Sequence, residues 1–446
     1  MNRTDWDEAR LHDGGVRRVA ITFVNHAGSP LVKVVPLARL AAAAREGVGF
    51  SPVSDAWRVD GLPDPAHPLA VPDGDLRLVP DPAALLPLEA ASGWAWAPAE
   101  RRQRDGTPYA LDQRSFCRRR QSLLAAAGIE VRAGFEIEWV VASSGAGGEL
   151  VPAVAGGPYG ADRLVNGLDY VAALTDAFDA AGLPWLQVHP EYGAAQFELS
   201  LAPADPLTAA DRQVAARLLI QRVTARFGWQ ATFSPLPDPD RVGNGGHLHL
   251  SLRRRGLPLL QGGEGTAGLS EAGEGLLGSL LGHLPALLAI SCPLAVSYRR
   301  LAPGRWAAPF QVWGVENREA ALRLIPAAAD GEPAHLEIKV ADLAANPYLF
   351  CGAVLALIEA GIRDPGSLPA PVEGDPALLP HPPERLPTSL EVASEAFAAC
   401  RPLAEAMGEP LHRSLVETQR AECRRAAGLD EADLIASTRW LPPGAP

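Results

Sequence analysis

Four short stretches alternate bulky apolar residues with acids or histidines, and this repeated pattern restricts the fold more than any other feature. In FEIEWVV, residues 135–141, Phe135, Ile137 and Trp139 alternate with Glu136, Glu138 and Val140. A strand points successive side chains to opposite faces, so the two glutamates share one face and the apolar residues the other. QFELSL (196–201) repeats the design with Gln196, Glu198 and Ser200. HLHLSL (247–252) does so with His247, His249 and Ser251, and HLEIKV (335–340) with His335, Glu337 and Lys339. Glu191 stands seven residues before Glu198 in EYGAAQFE.

Any one of these strands reads as half core and half solvent. Solvated faces, however, are normally rich in Lys, Arg, Thr and Gln and mixed in sign. These faces offer Glu136, Glu138, Glu198, Glu337, His247 and His249, all able to bind metal. In a single sheet the carboxylates would crowd together, at a cost of about 4 kcal/mol per pair at ~4 Å and an effective dielectric near 20. Unless the acids protonate, divalent cations must sit among them. Carboxylates with one or two imidazoles and no thiolate suit Mg²⁺ or Mn²⁺ better than Zn²⁺. A sheet face holding such cations is a natural seat for nucleotide phosphates. The sequence has no Walker-A loop and no GxGxxG-helix unit, so metal and arginine would hold the phosphates. NREAALR supplies Arg318 and Arg323, and YRRLAPGR supplies Arg299, Arg300 and Arg305. Taken singly, each is an ordinary surface arginine; the acidic site is what raises them.

The rest of the chain reads as a soluble globular protein. Its 446 residues allow two or three domains, and 47% hydrophobic with 21% charged residues is globular composition. Net charge is −12 with no basic stripe, which excludes nucleic acid as a partner. Five widely spaced cysteines without a CxxC pair indicate a reducing compartment. The N-terminal MNRTDWDEARLHDGG is polar and acidic, unlike a secretory signal. Residues 275–298 carry no Asp, Glu, Lys or Arg, but Gly278, Ser279, Gly282, His283 and Pro285 point to a buried helix and turn rather than a span. A cytoplasmic location without membrane contact is the expectation.

Residues 16–35 read as two strands joined by a turn at Ala27–Pro30, followed by a helix from Leu37 to Arg45 and strands in DLRLVPD and SGWAWAP. The charged AERRQRDGTP divides a small domain, 1–105, from a larger one, 106–446. In the larger part, helices are expected near 112–127, 164–181, 270–290, 346–362, 389–407 and 411–426. Another should open at the Thr208-x-x-Asp211 capping box.

Taken in order, FEIE, EYGAAQFE, ATFSPLP…GNGGHLHLSL, SYRRLAPG, ENREAALR and HLEIKVADLAANPYL resemble the glutamine synthetase family. FVNHAGSPLVKVVP and GVGFSPVSD resemble its small domain, so the likeness covers nearly the whole chain. It implies an α+β fold: an N-terminal β-grasp domain and a catalytic domain with an antiparallel sheet flanked by helices. It also implies homo-oligomers, commonly dodecamers of two hexameric rings with active sites shared between neighbours. The implied reaction is ATP-dependent amide formation, in which the γ-carboxylate of glutamate is phosphorylated and an amine displaces phosphate. Two or three Mg²⁺ or Mn²⁺ ions would serve each site. By resemblance Glu138, Glu191 and Glu198 hold one metal, and Glu136, His247 and Glu337 the other. Arg318 and Arg323 would neutralise the transferring phosphoryl group, and Arg300 would take the α-carboxylate. Gly243 and Asn244 fall in the loop of the amino-acid site, and His249 and Ser251 lie beside the nucleotide.

Departures from the family pattern gather at the amine. Ser51 stands where ammonia-using members carry an Asp, and PGRWAAP places Trp306 in a flap where they carry a Glu. An ammonium needs nearby negative charge, and losing it suggests a larger, partly apolar amine. His335 and Lys339 replace arginines, and Lys keeps charge but not the bidentate fork. These changes resemble the γ-glutamyl-amine ligases that use polyamines or ethanolamine. Ordinary glutamine synthesis and a non-catalytic binding homologue are the alternatives.

Overall fold

The computed structural model describes residues 8–88, 93–144, 149–328 and 331–441, so residues 1–7 of the polar N-terminal stretch, and Ser92 of SGWAWAP, lie outside it. A first sheet comprises β1 (Arg18–Val24), β2 (Pro30–Pro36), β3 (Val48–Phe50), β4 (Leu76–Pro80), β5 (Leu86–Leu88) and β6 (Trp94–Arg102). Its order is β2-β1-β6-β4-β3, with β5 also on β6. β1 and β6 run parallel and the other pairs antiparallel. Ile21, Phe23 and Leu78 bury against Leu37 and Leu40, in the short turn and the first residue of the helix Leu40–Glu46 that packs on this sheet.

The second sheet contains β7 (Ile129–Ser144), β8 (Leu150–Pro152), β9 (Trp185–Pro190), β10 (Gln196–Leu201), β11 (Gln230–Thr232), β12 (Leu248–Arg254), β13 (Leu257–Pro258), β14 (Trp313–Val315), β15 (Leu322–Ile325) and β16 (His335–Ile338). The main path is β14-β15-β16-β12-β7-β10-β9. It is antiparallel except for β14 with β15, which run parallel. Ile137, Trp139, Phe197, Leu199, Leu248 and Ile338 are wholly buried on its apolar face. The helices Gln113–Ala126 and Pro206–Arg226 pack against β7, and Pro347–Arg363 covers both. Trp139 Nε1 donates to the Tyr170 hydroxyl at 3.0 Å, which pairs with Thr224 Oγ1 at 2.8 Å, so the buried indole's polar end is satisfied.

Several helix boundaries differ from the sequence reading. The helix expected at Thr208 opens at Pro206, capped by Asp205, whose carboxylate accepts from the Thr208 N–H at 3.1 Å. Proline at the first position and Asp at the cap outcompete the Thr208 box. Asp211 is instead held by Arg114 and the Tyr348 hydroxyl. The expected 270–290 helix is two, Glu271–Gly282 and Leu284–Ser291, bent by 66° where Pro285 removes a donor. Likewise 389–407 divides into Leu390–Ala399 and Arg401–Met407, restarting at Pro402. A last helix, Glu431–Thr438, had no expectation. No single helix among the described residues is long and apolar enough to cross a membrane, and all five cysteines are free.

The two sheets are clamped together. The turn after β1 presses Gly28 (φ +75°) so close that a Cβ would sit 2.0 Å from the Ala344 carbonyl oxygen. Asn346 donates to the Val24 and Asn25 carbonyls at 3.2 and 3.0 Å. Arg101, on β6 and fully buried, donates to both oxygens of Asp55 at 2.8 and 2.7 Å and to Asp112 at 3.2 Å. Arg101→Met should strand two buried carboxylates and cost about 3–5 kcal/mol, read as a lower denaturant midpoint. Adding Asp55→Asn should recover part of that loss.

Candidate active site

Register decides which side chains meet. β10 sets Glu198 opposite Glu138 and Ser200 opposite Glu136. β16 sets Glu337 opposite His249, and β15 sets Arg323 opposite Glu337. His247 precedes β12, yet its carbonyl accepts from the Glu136 N–H at 3.0 Å, so it still joins the row. The His247 Nδ1 lies 3.0 Å from Glu136 Oε2 and 3.4 Å from Glu337 Oε1, and its Nε2 lies 3.8 Å from Glu138 Oε1. Glu136, Glu138, Glu191, Glu198, His247 and Glu337 all line one cavity of about 760 Å³.

Among the described residues, three groups bring their donor atoms within 4.8 Å of one another: Glu136 with Glu198 and His247, Glu136 with His249 and Glu337, and His189 with Glu191 and Glu198. His189 was missed in the sequence. It lies opposite Glu198 on β9, with its Nε2 3.3 Å from Glu198 Oε1. The one available signal was its place two residues before Glu191, because WLQVHP lacks the apolar alternation of the other strands.

Charge is unevenly settled across this face. Burial pushes Glu337 up, but Lys339, His247 and His249 outweigh it and pull the carboxyl down to about 2. Lys339 Nζ donates to Glu337 Oε1 at 3.2 Å, and Arg323 Nη1 to Oε2 at 3.1 Å. At the other end, burial and then the charge of Glu136 push Glu198 up to about 7. Burial and then Glu138 raise Glu191. The hydrogen bond to Glu198 lifts His189 to about 9. Carboxylate-rich, thiol-free donors short of positive charge fit a hard divalent cation.

The arginines stand around this cluster. Arg300 is buried on the cavity wall, where Nη2 donates to the Ala341 carbonyl at 2.8 Å and Nε has no hydrogen-bond partner. The Arg323 Nε is also unpaired, and Arg318 is exposed at the cavity. Gly243 lines the wall, and a Cβ there would meet the Pro235 carbonyl oxygen at 1.9 Å and Arg300 Cδ at 2.7 Å. Asn244 turns away, fully buried, donating to the Ser234 carbonyl at 2.9 Å. Its Oδ1 accepts from Gln196 Nε2, which lies 3.1 Å from Glu138 Oε2 and so fixes that carboxylate. His249 and Ser251 sit on β12 beyond the cavity lining, with the His249 ring 5.3 Å from His335. Ser51 caps the short turn Pro52–Ala56 and does not line the cavity of its own chain. Lys339 and Trp306 do line it. Trp306 is 63% exposed at φ +54°, between Gly304 at +75° and Ala308 at +53°. Two non-glycine residues in this region store strain of order 1–3 kcal/mol each, and burial pushes the neighbouring Glu319 carboxyl up. Tyr159 and Tyr192 complete the rim, and neither was singled out from sequence.

The description "glutamine synthetase, catalytic domain" fits residues 110–432. The chain belongs to the glutamine synthetase family. It is 42% identical to a gamma-glutamylpolyamine synthetase of Streptomyces coelicolor, covering 96% of this chain and 94% of that one. A glutamine synthetase of Pyrococcus abyssi is 30% identical over 91% of this chain and 89% of its own. Among solved structures, a glutamine synthase homologue superposes with a TM-score of 0.84 at 30% identity, covering 95% and 98% of the two chains. A GmaS–ADP complex gives 0.84 at 28%, covering 95% and 97%.

Glu198 generates a pH prediction. A carboxyl raised from 4.5 to about 7 binds its proton more tightly folded than unfolded, so metal-free stability is lost as pH rises through that window, by about 3 kcal/mol. In EDTA, Glu198→Gln should flatten this loss and melt higher than wild type at pH 7.5. Added Mn²⁺ should raise the wild-type melting temperature more than the variant's.

Proposed function

We propose that this chain is an ATP-dependent carboxylate–amine ligase that joins glutamate to an amine larger than ammonia through a γ-glutamyl phosphate. The observation that carries the reading is the complete set of five glutamates and His247 in one cavity with Arg300, Arg318 and Arg323. The amine is supported by the polyamine chemistry in the name of the Streptomyces relative, and by Trp306 on the cavity wall. A structural neighbour that binds ADP supports ATP as the phosphoryl donor.

Glu138, Glu191 and Glu198 would hold one divalent cation, with Glu136, His247 and Glu337 holding the second, as Mg²⁺ or Mn²⁺. When bound, the cations neutralise the triphosphate and polarise its phosphoryl oxygens. Arg318 and Arg323 reach the transferring phosphoryl group and stabilise charge that grows during transfer. Arg300 receives the α-carboxylate of glutamate, whose backbone-side approach Gly243 keeps open. Phosphorylation turns a poor electrophile into one with a good leaving group, and the free-base amine then attacks the carbonyl and expels phosphate. Lys339 faces the acid as a point charge, while His249 and Ser251 stand on the nucleotide side of β12. Residues 1–105 form the small domain and 106–446 the catalytic one. The working unit is a homo-oligomer of two hexameric rings in the cytoplasm, and the place of Ser51 outside its own chain's cavity is consistent with sites completed by a neighbour.

Purified protein with ATP, Mg²⁺ and glutamate should release phosphate with a polyamine or ethanolamine well above its rate with ammonium. Equal turnover with ammonium would make it an ordinary glutamine synthetase, and no release with any amine would leave a binding homologue. Glu337→Gln should lower turnover by about 10²–10³-fold with an unchanged elution volume in size-exclusion chromatography; near-native turnover would remove Glu337 from the metal set.

A further inference from the structure

At the carboxyl-rich end of the cavity, one imidazole has no part in the chemistry above. Register sets Glu198 on β10 opposite both Glu138 on β7 and His189 on β9, so the three stand in one row across the sheet. The His189 Nε2 lies 3.3 Å from Glu198 Oε1, and its Nδ1 lies 3.8 Å from Glu191 Oε1. The ring is partly exposed and, like Glu191 and Glu198, lines the cavity. Its Nδ1 is also 3.1 Å from the Pro190 carbonyl oxygen. A carbonyl oxygen only accepts, so Nδ1 carries the proton there, and the neutral ring turns the Nε2 lone pair toward Glu198. Histidines that bind metal are held in this way, with the second ring N–H given to a carbonyl that fixes tautomer and ring orientation. Glu191 Oε2 accepts from the Tyr192 N–H at 2.7 Å and Glu138 Oε2 from the Gly245 N–H at 2.8 Å, so each keeps its other oxygen to offer.

A histidine kept only to pair with Glu198 would need neither Glu191 within reach nor the cavity beside it. Bonds of ~2.1 Å at right angles set neighbouring donors on an octahedral ion ~3.0 Å apart, close to the separation of His189 from Glu198. We infer that His189 is a further ligand of the cation held by Glu138, Glu191 and Glu198, one nitrogen among oxygens. This rests on that end of the cavity as an ion site, and not on the identity of the amine. An all-oxygen set suits Mg²⁺, whereas an imidazole adds little for Mg²⁺ and progressively more from Mn²⁺ to Co²⁺. His189 therefore tilts this ion site away from Mg²⁺ and toward Mn²⁺.

The test is His189→Ala in the full-length protein, with metal binding followed by titration calorimetry in the absence of nucleotide and glutamate. One equivalent of ion should lose affinity, most for Co²⁺, about tenfold for Mn²⁺ and only slightly for Mg²⁺. Added imidazole should fill the space left by the ring and restore much of the Mn²⁺ affinity. A second variant, His189→Gln, keeps an oxygen donor and should retain Mg²⁺ affinity while losing the preference for Mn²⁺. Equal losses for the three ions, an unchanged Mn²⁺ affinity or no rescue by imidazole would overturn the inference, because a ring that only props the strand has no preference among cations. Wild type that bound no divalent ion would sink the ion site and the inference with it. Turnover does not enter the measurement, so a failure of the ligase reading in the amine screen would leave this outcome unchanged.

Discussion

Mutual repulsion among carboxylates on one sheet face is the constraint that orders this molecule. β7 carries Glu136 and Glu138 while burying Ile137 and Trp139 directly behind them. The same strand thus bears the most crowded charge and part of the deepest packing. Helices on the apolar side fix the strand, and the fixed strand holds the acids at distances they would not choose. One end of the face is relieved by Arg323 and Lys339; the other, around Glu191 and Glu198, is left needing a cation. That asymmetry gives the face one end paired with basic side chains and another rich in carboxyls that burial pushes up.

The legible parts of the sequence were those where period and chemistry coincide. Alternation of two places Glu136, Glu138, Glu198 and Glu337 on one face by geometry alone, so their gathering in one cavity needed only that the strands share a sheet. His189 escaped because its strand has no apolar alternation to announce the face. Asn244 was expected to face substrate, yet its side chain turns inward to hold the loop, and a run such as GNGG says nothing about which way an amide points. The Asp205 cap displaced Thr208 because proline at the next position already suits a first helical turn.

The strip that carries Trp306 is built differently, with an exposed indole on the cavity wall at a left-handed φ, two residues from Ala308 in the same region. Backbone strain at two neighbouring non-glycine residues marks a strip whose conformation is imposed by its surroundings rather than intrinsic.

Asn346 occupies a junction whose significance is mechanical. Its side-chain oxygen caps the helix Pro347–Arg363 while its nitrogen grips the turn that leaves the first sheet. Five positions upstream is Ala341, whose carbonyl accepts from Arg300 on the cavity wall. The small sheet is consequently bolted to the same short rod that backs Arg300, so a tilt of one would be felt at the other as a change in grip.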